Sequence, residues 1–162
     1  MEHMVVTYSA ECAKEGHIDP NFTQLVYGNS GKNGNSLKKH ISEGSYIFFN
    51  ARIGEKRYIT AYFYVEKILL KGKDDNEINA LNCSAKEDEV IFIGNRNFSK
   101  ILTIPLLLDQ YLLMELKSYN ATEEYFKSKS TELEAIKDKT LNPTIITDQE
   151  KELLIELCKD KG

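Results

Sequence analysis

"SYIFFNARIGEKRYITAYFYVEKILL", residues 45–70, is the stretch on which the fold turns. β-Branched and aromatic residues dominate both sides of "IGEK" (53–56), and Gly54 supplies the backbone freedom that a tight turn needs. The stretch reads as an antiparallel hairpin. Along its second strand, Ile59, Ala61, Phe63 and Val65 fall on one side and Tyr58, Thr60, Tyr62 and Tyr64 on the other. The first set is core. The tyrosine side, apolar with hydroxyl tips, suits either packing under a helix or lining a groove.

Working outward, "MVVTYS" (4–9) opens the chain as a further strand. "AECAKEGHIDPNFTQLVYGN" (10–29) has no sustained period and reads as irregular, with at most a turn of helix. "NSLKKHISEG" (35–44) predicts a short helix capped by Ser36, with Leu37, His40 and Ile41 on one face and Gly44 ending it. After the hairpin come an acidic turn, "KGKDDNEINA" (71–80), and a compact strand, "EVIFIGN" (89–95). "TIPLLLDQYLLMELK" (103–117) predicts a helix with Thr103 as cap and Pro105 in its first turn. Two charged helical segments follow, separated at Asn142-Pro143; the second, "TDQEKELLIELCKDK" (147–161), carries a capping box formed by Thr147 and Glu150.

The expected architecture is α+β: a small twisted antiparallel sheet or partly open β-barrel flanked by helices, with a C-terminal helical extension. The division expected is a domain over residues 1–118 and a charged extension or linker over 119–162. At 41% hydrophobic residues, the 162-residue chain can bury a real core. It shows no apolar run long enough to span a membrane and no signal-peptide pattern, so a cytoplasmic location without membrane contact is expected. Cys12, Cys83 and Cys158 are odd in number and far apart, which argues against a zinc site or a disulfide framework. The opening "MEHM" is given no weight, so His3 is no candidate.

Catalytic patterns are weak. Cys12, His17 and Asp19 lack the partners that activate a nucleophile or complete a metal site. "VEK" (65–67) matches a nuclease motif only by stretching its spacing, and reads better as a solvated strand end. No enzyme activity, metal or cofactor is expected. The stretch "VYGNSGKNGNS" (26–36) resembles a phosphate cradle, but Gly28, Gly31 and Gly34 are spaced in threes and Lys32 precedes Asn33, so it is not a Walker loop. It reads instead as a flexible loop with Lys32 as a clamp.

Recognition chemistry is better represented. The net charge of −4 argues against a polyanionic partner, yet residues 28–58 hold Lys32, Lys38, Lys39, Arg52, Lys56 and Arg57 against Glu43 and Glu55. Residues 91–104 add Arg96 and Lys100 with no acid. Three polar loops accompany these cations: "HIDPNFTQLVYGN" (17–29), "FFNARIGEKR" (48–57) and "GNRNFSK" (94–100). Lys32, Lys38, Arg52, Lys56, Arg57, Arg96 and Lys100 are candidates for nucleic-acid backbone contacts. Asp19, Tyr27, Asn50, Tyr62, Asn95 and Phe98 are candidates for reading or stacking a base.

The succession "HIDPNF…VYGN", "LKKHISEGSYIFFNARI", "KRYITAYFYVEKIL" and "IFIGNRNFSKILTIPLLL" resembles the PUA-like superfamily, which includes the EVE, YTH and ASCH domains. The resemblance spans residues 4–117 and is nearest to the branch associated with nucleotide modification. Gly44-Ser45 stands where that pattern has Gly-Asp, Ala61 replaces a glycine, and the chain has no tryptophan for a YTH-type cage. The resemblance implies a non-catalytic module that binds DNA or RNA, with a modified or flipped base in a pocket of the barrel. It also implies a place as the targeting domain of an McrBC-type modification-dependent restriction or defence system, with residues 119–162 leading to a C-terminal motor domain. The alternatives are a protein-interaction or assembly domain and an RNA-binding PUA-like module.

Overall fold

A computed structural model of the chain describes residues 1–9 and 20–162. The hairpin forms as expected. β3 (Tyr46–Ile53) and β4 (Lys56–Leu70) pair antiparallel across a two-residue turn, with Ile53 opposite Lys56. β1 (His3–Thr7) runs parallel to β3, and β7 (Thr144–Ile146) runs antiparallel to β1 on its far side. β2 (Val26–Asn29), β5 (Val90–Gly94) and β6 (Lys100–Leu107) complete a seven-stranded open sheet of order β2-β5-β4-β3-β1-β7, with β6 also on β4. The fold is α+β.

β4 organises the sheet because its fifteen residues outrun any one neighbour. β3 pairs with residues 56–64, while the opposite edge takes β6 along Tyr58–Tyr62 and then β5 along Val65–Leu70. The β5–β6 connection, residues 95–99, therefore sits against the middle of β4.

The strict alternation expected along β4 fails at one point. Thr60 is an extra residue in the β3–β4 ladder, between the pairs Phe49–Ala61 and Asn50–Ile59. A bulge of this kind reverses which face the following side chains occupy. Ile59 consequently packs with Tyr62, Phe48 and Val5 on one face, whereas Ala61, Phe63 and Val65 join Phe49, Met4 and Val6 on the other.

α1 (Gly31–His40) covers the second face through Leu37, with Ile41 just beyond it. "GKNGNS" is thus the start of a helix rather than a loop, and Ser30, not Ser36, is its N-cap residue. Gly34 explains the composition: a Cβ there would lie 2.9 Å from the backbone carbonyl of Asn29, so the helix packs this closely only with glycine. Ser30 Oγ donates to Asp88 (2.9 Å) and accepts from the Glu89 amide (3.0 Å), fixing the entry to the helix. Gly44 does adopt a left-handed φ of 93°, but in the turn leading to β3, where its amide donates to Val65 O.

The first face is covered by the C-terminal half of the chain. Residues 103–107, expected in a helix, belong to β6; Pro105 is tolerated on a strand paired along only one edge. The helix α3 (Gln110–Glu115) starts later, capped by Asp109, whose carboxylate accepts from the Leu112 amide at 2.9 Å. α2 (Asp75–Asn79) is a single turn before β5. α4 (Glu123–Lys127), α5 (Glu132–Thr140) and α6 (Asp148–Cys158) follow, and the capping box of Thr147 and Glu150 is present. Residues 119–162, expected as an extension or linker, supply Phe126, Ala135, Ile136, Leu154 and Cys158 to the same core as Phe48 and Tyr62, and β7 to the same sheet. His3 also belongs to the interior, and its Nδ1 accepts from the Tyr46 amide at 2.9 Å. Among the described residues, no helix is long and apolar enough to cross a membrane.

Candidate nucleic-acid interface

The basic stretch does not form one patch. Lys32 and Lys38 are exposed on α1, and Lys38 lines a cleft with Leu70 and Lys71 at one end of β4. Arg52, Lys56 and Arg57 lie at the other end, around the hairpin turn. Fourteen residue steps separate Lys56 from Leu70, roughly 46 Å of strand contour. Sequence proximity misled because the chain between Lys38 and Arg52 is itself a strand that crosses the sheet.

Several candidates for base contact are structural. Tyr27 is buried against Phe49 and Phe92, and its hydroxyl accepts from Asn29 Nδ2 at 2.8 Å. Tyr62 is buried beside Phe48 and Tyr46. Asn50 is fully buried, donating to Thr7 Oγ1 at 2.9 Å. These positions face cores because both surfaces of this sheet are covered. Lys100, expected on a phosphate, donates to the carbonyls of Cys158 and Lys159 (3.2 and 3.3 Å) and so caps the C-terminus of α6. Asp19 lies outside the described residues, as do Cys12 and His17. Among the described residues, no cluster of His, Cys, Asp or Glu could hold a metal ion.

What the fold brings to the surface is a row of rings. Phe98 is 59% exposed, with its ring 5.4 Å from that of Tyr64. Tyr64 meets Tyr46 at 5.2 Å, and the Nζ of Lys151, on α6, sits 5.3 Å from the Tyr46 ring centroid. Burial raises the Tyr46 pKa, so its hydroxyl stays protonated. Arg96 and Asn97 are exposed on the same turn as Phe98. Tyr46 and Lys151 were not legible as site residues. A straight hairpin would set Tyr46 opposite Phe63, and it is the extra residue at Thr60 that brings Tyr64 there instead.

The turn bearing Phe98 is held from several sides. The Asn95 amide donates to Tyr64 O at 2.8 Å, and Ser99 Oγ accepts from the Tyr64 amide at 2.9 Å. Asn95 Oδ1 accepts from the amides of Asn97 and Phe98 (2.8 and 3.1 Å), and its Nδ2 donates to Glu66 at 3.0 Å. Asn95 therefore builds the turn, its Oδ1 taken up by two backbone amides and one N–H of Nδ2 by Glu66.

The site thus lies on an open α+β sheet covered on both faces, with an aromatic row that ends in the exposed Phe98 and with the exposed Arg96 on the same turn. No family model and no curated protein matches the sequence. Solved structures that resemble this one include the following two. A hypothetical protein from Leishmania major has a TM-score of 0.52 at 11% identity, over 99% of this chain and 96% of that one. A mutant of the ASCH protein of Zymomonas mobilis has a TM-score of 0.48 at 15% identity, over 96% of this chain and 97% of that one.

Proposed function

We propose that this chain is a PUA-like, non-catalytic nucleic-acid-binding module that stacks an unpaired or extruded base on Phe98 and Tyr64. The observation that supports it most is an apolar ring left 59% exposed on a turn fixed to Tyr64 by its backbone. Nucleobases of any identity offer a flat face to such a platform, and Arg96 is exposed on the same turn as Phe98 to meet a phosphate. The resemblance of residues 4–117 to PUA-like domains extends this reading to a modified base in DNA, of the kind a restriction or defence system targets.

The test is fluorescence-polarisation binding of wild type and Phe98→Ala to matched single- and double-stranded DNA and RNA, with and without methylated cytosine or adenine, at two salt concentrations. Salt-dependent binding to unpaired or modified strands is expected, with Phe98→Ala costing about 1–3 kcal/mol. Equal affinity of the two proteins for every member would remove the site assignment. A second reading, a protein-interaction domain, draws on Ile101 and Ile104, which are exposed on β6 beyond Phe98. It expects salt-insensitive self-association and no oligonucleotide binding.

A further inference from the structure

Arg57 has no explained role. It is only 9% exposed, and its Nε has no hydrogen-bond partner among the described residues. No carboxylate pairs with it there either, since Glu55, the nearest acid in sequence, reaches Arg52 at 3.4 Å with its side chain 87% exposed. A buried donor without an acceptor is costly, and a cation with no counter-charge beside it is open to an anion.

Its surroundings identify what that is. Arg57 and Lys56 line a cleft of about 290 Å³ whose opposite wall is the first turn of α5, Thr131 to Leu133. α5 is nine residues long, so its N-terminus presents unpaired amides and the positive end of a helix dipole. Thr131 Oγ1 already accepts from the Glu134 amide at 3.1 Å, which leaves the Glu132 and Leu133 amides for another acceptor. An unpartnered buried arginine, a lysine and a helix N-terminus around one cleft make a receptor for a tetrahedral oxyanion.

We infer that the cleft between Lys56–Arg57 and the N-terminus of α5 binds a phosphate group. The site is independent of the aromatic row. Arg57 is seven residue steps from Tyr64, roughly 23 Å along β4. Glu55 and Glu132 stand at the cleft's rim and oppose the anion, which makes Glu132 a modulator of affinity rather than a ligand. The phosphate can come from a nucleic-acid strand or from a small phosphorylated molecule. The chemistry of capture is the same for both.

The experiment is an NMR titration of the full chain with inorganic phosphate, followed by competition with a single-stranded oligonucleotide and with a nucleoside monophosphate. Saturable shifts centred on the Glu132 and Leu133 amides and on Arg57 are expected. Glu132→Gln should tighten binding several-fold, and Arg57→Met should weaken it by about tenfold or more. Where Arg57→Met fails to fold, Glu132→Gln still decides, because only an anion bound at this helix end is tightened by removing that carboxylate. Competition by the oligonucleotide assigns the site to a strand phosphate; competition by the mononucleotide alone assigns it to a small ligand. Both support the inference. Absence of saturable shifts in wild type and Glu132→Gln, or retained phosphate affinity in folded Arg57→Met, overturns it. Phosphate binding with no oligonucleotide binding leaves this site standing and removes the nucleic-acid reading, whereas oligonucleotide binding that needs Phe98, with no saturable phosphate shifts at Arg57, Glu132 and Leu133, does the reverse.

Discussion

Two turns flank β4 and serve it differently. The hairpin turn at Gly54-Glu55 carries Arg52 and Lys56, and the side-chain contacts of Arg52 stay within the turn: Nε donates to Gly54 O at 2.8 Å and Nη2 to Glu55 at 3.4 Å. The turn at 95–99 carries Phe98 and is tied to β4 by the Tyr64 amide and carbonyl and to itself through Asn95. The first offers charge on flexible stems; the second offers a ring in a fixed place. Preorganised apolar surface gives affinity that survives salt, while exposed cations mainly set the encounter and its salt dependence.

Disturbing the rigid turn should have the largest effect. A Cβ at Gly94 would lie 2.9 Å from Ser99 Oγ, 3.1 Å from Phe63 Cγ and 3.2 Å from Leu25 Cβ. Gly94→Ala should therefore cost about 1–3 kcal/mol of stability by urea denaturation and weaken oligonucleotide binding as the turn shifts. Ser99→Ala removes the acceptor for the Tyr64 amide and should cost about 1 kcal/mol without altering the exposed ring. The flexible turn should respond more weakly. Arg52→Ala should leave stability unchanged and lower the salt slope of binding by about one unit across all sequences. If Arg52→Ala damaged binding more than Gly94→Ala did, the contrast between the turns would be wrong.

Acidification should act on α6, which carries Lys151 to the aromatic row. Burial works to raise the Glu150 pKa, but hydrogen bonds from Ser118 and Thr147 outweigh it and hold the carboxyl below its ordinary value of 4.5. Burial likewise lowers the His3 pKa below 6.5, despite the opposing pull of Asp148, whose Oδ1 accepts from Nε2 at 2.6 Å. For both groups the unfolded chain takes up the proton first as pH falls. Stability from His3 should therefore begin to decline below about pH 6.5, and that from Glu150 below about 4.5. Thermal melts between pH 7 and pH 4 check this, with Ser118→Ala reducing the lower step.

The hairpin was legible because period-two patterning and a glycine turn are local signals that agree with each other. The second half of the helix over Gly31–His40 was legible too, but its start was not, because Gly31, Gly34 and three asparagines or serines between them and Leu37 have poor helix propensity. Close packing against Asn29 overrides that preference, and no local pattern reveals a neighbour. Pro105 was compatible with a helix start and with an edge strand, and only the pairing with β4 decides between them. The aromatic row depends on the extra residue at Thr60, whose consequence is a register and not a composition. Phe98 alone among the proposed stacking residues was visible in advance and remains exposed.

The central claim, that a base stacks on this row, is tested most directly by following the ring protons of Phe98 and Tyr64 while a short single-stranded oligonucleotide is added. The account predicts upfield ring-current shifts at both residues, saturating with the binding curve and absent for Tyr64 in Phe98→Ala. Tight binding that leaves both rings unshifted would contradict it and move the nucleic-acid contact elsewhere on the molecule.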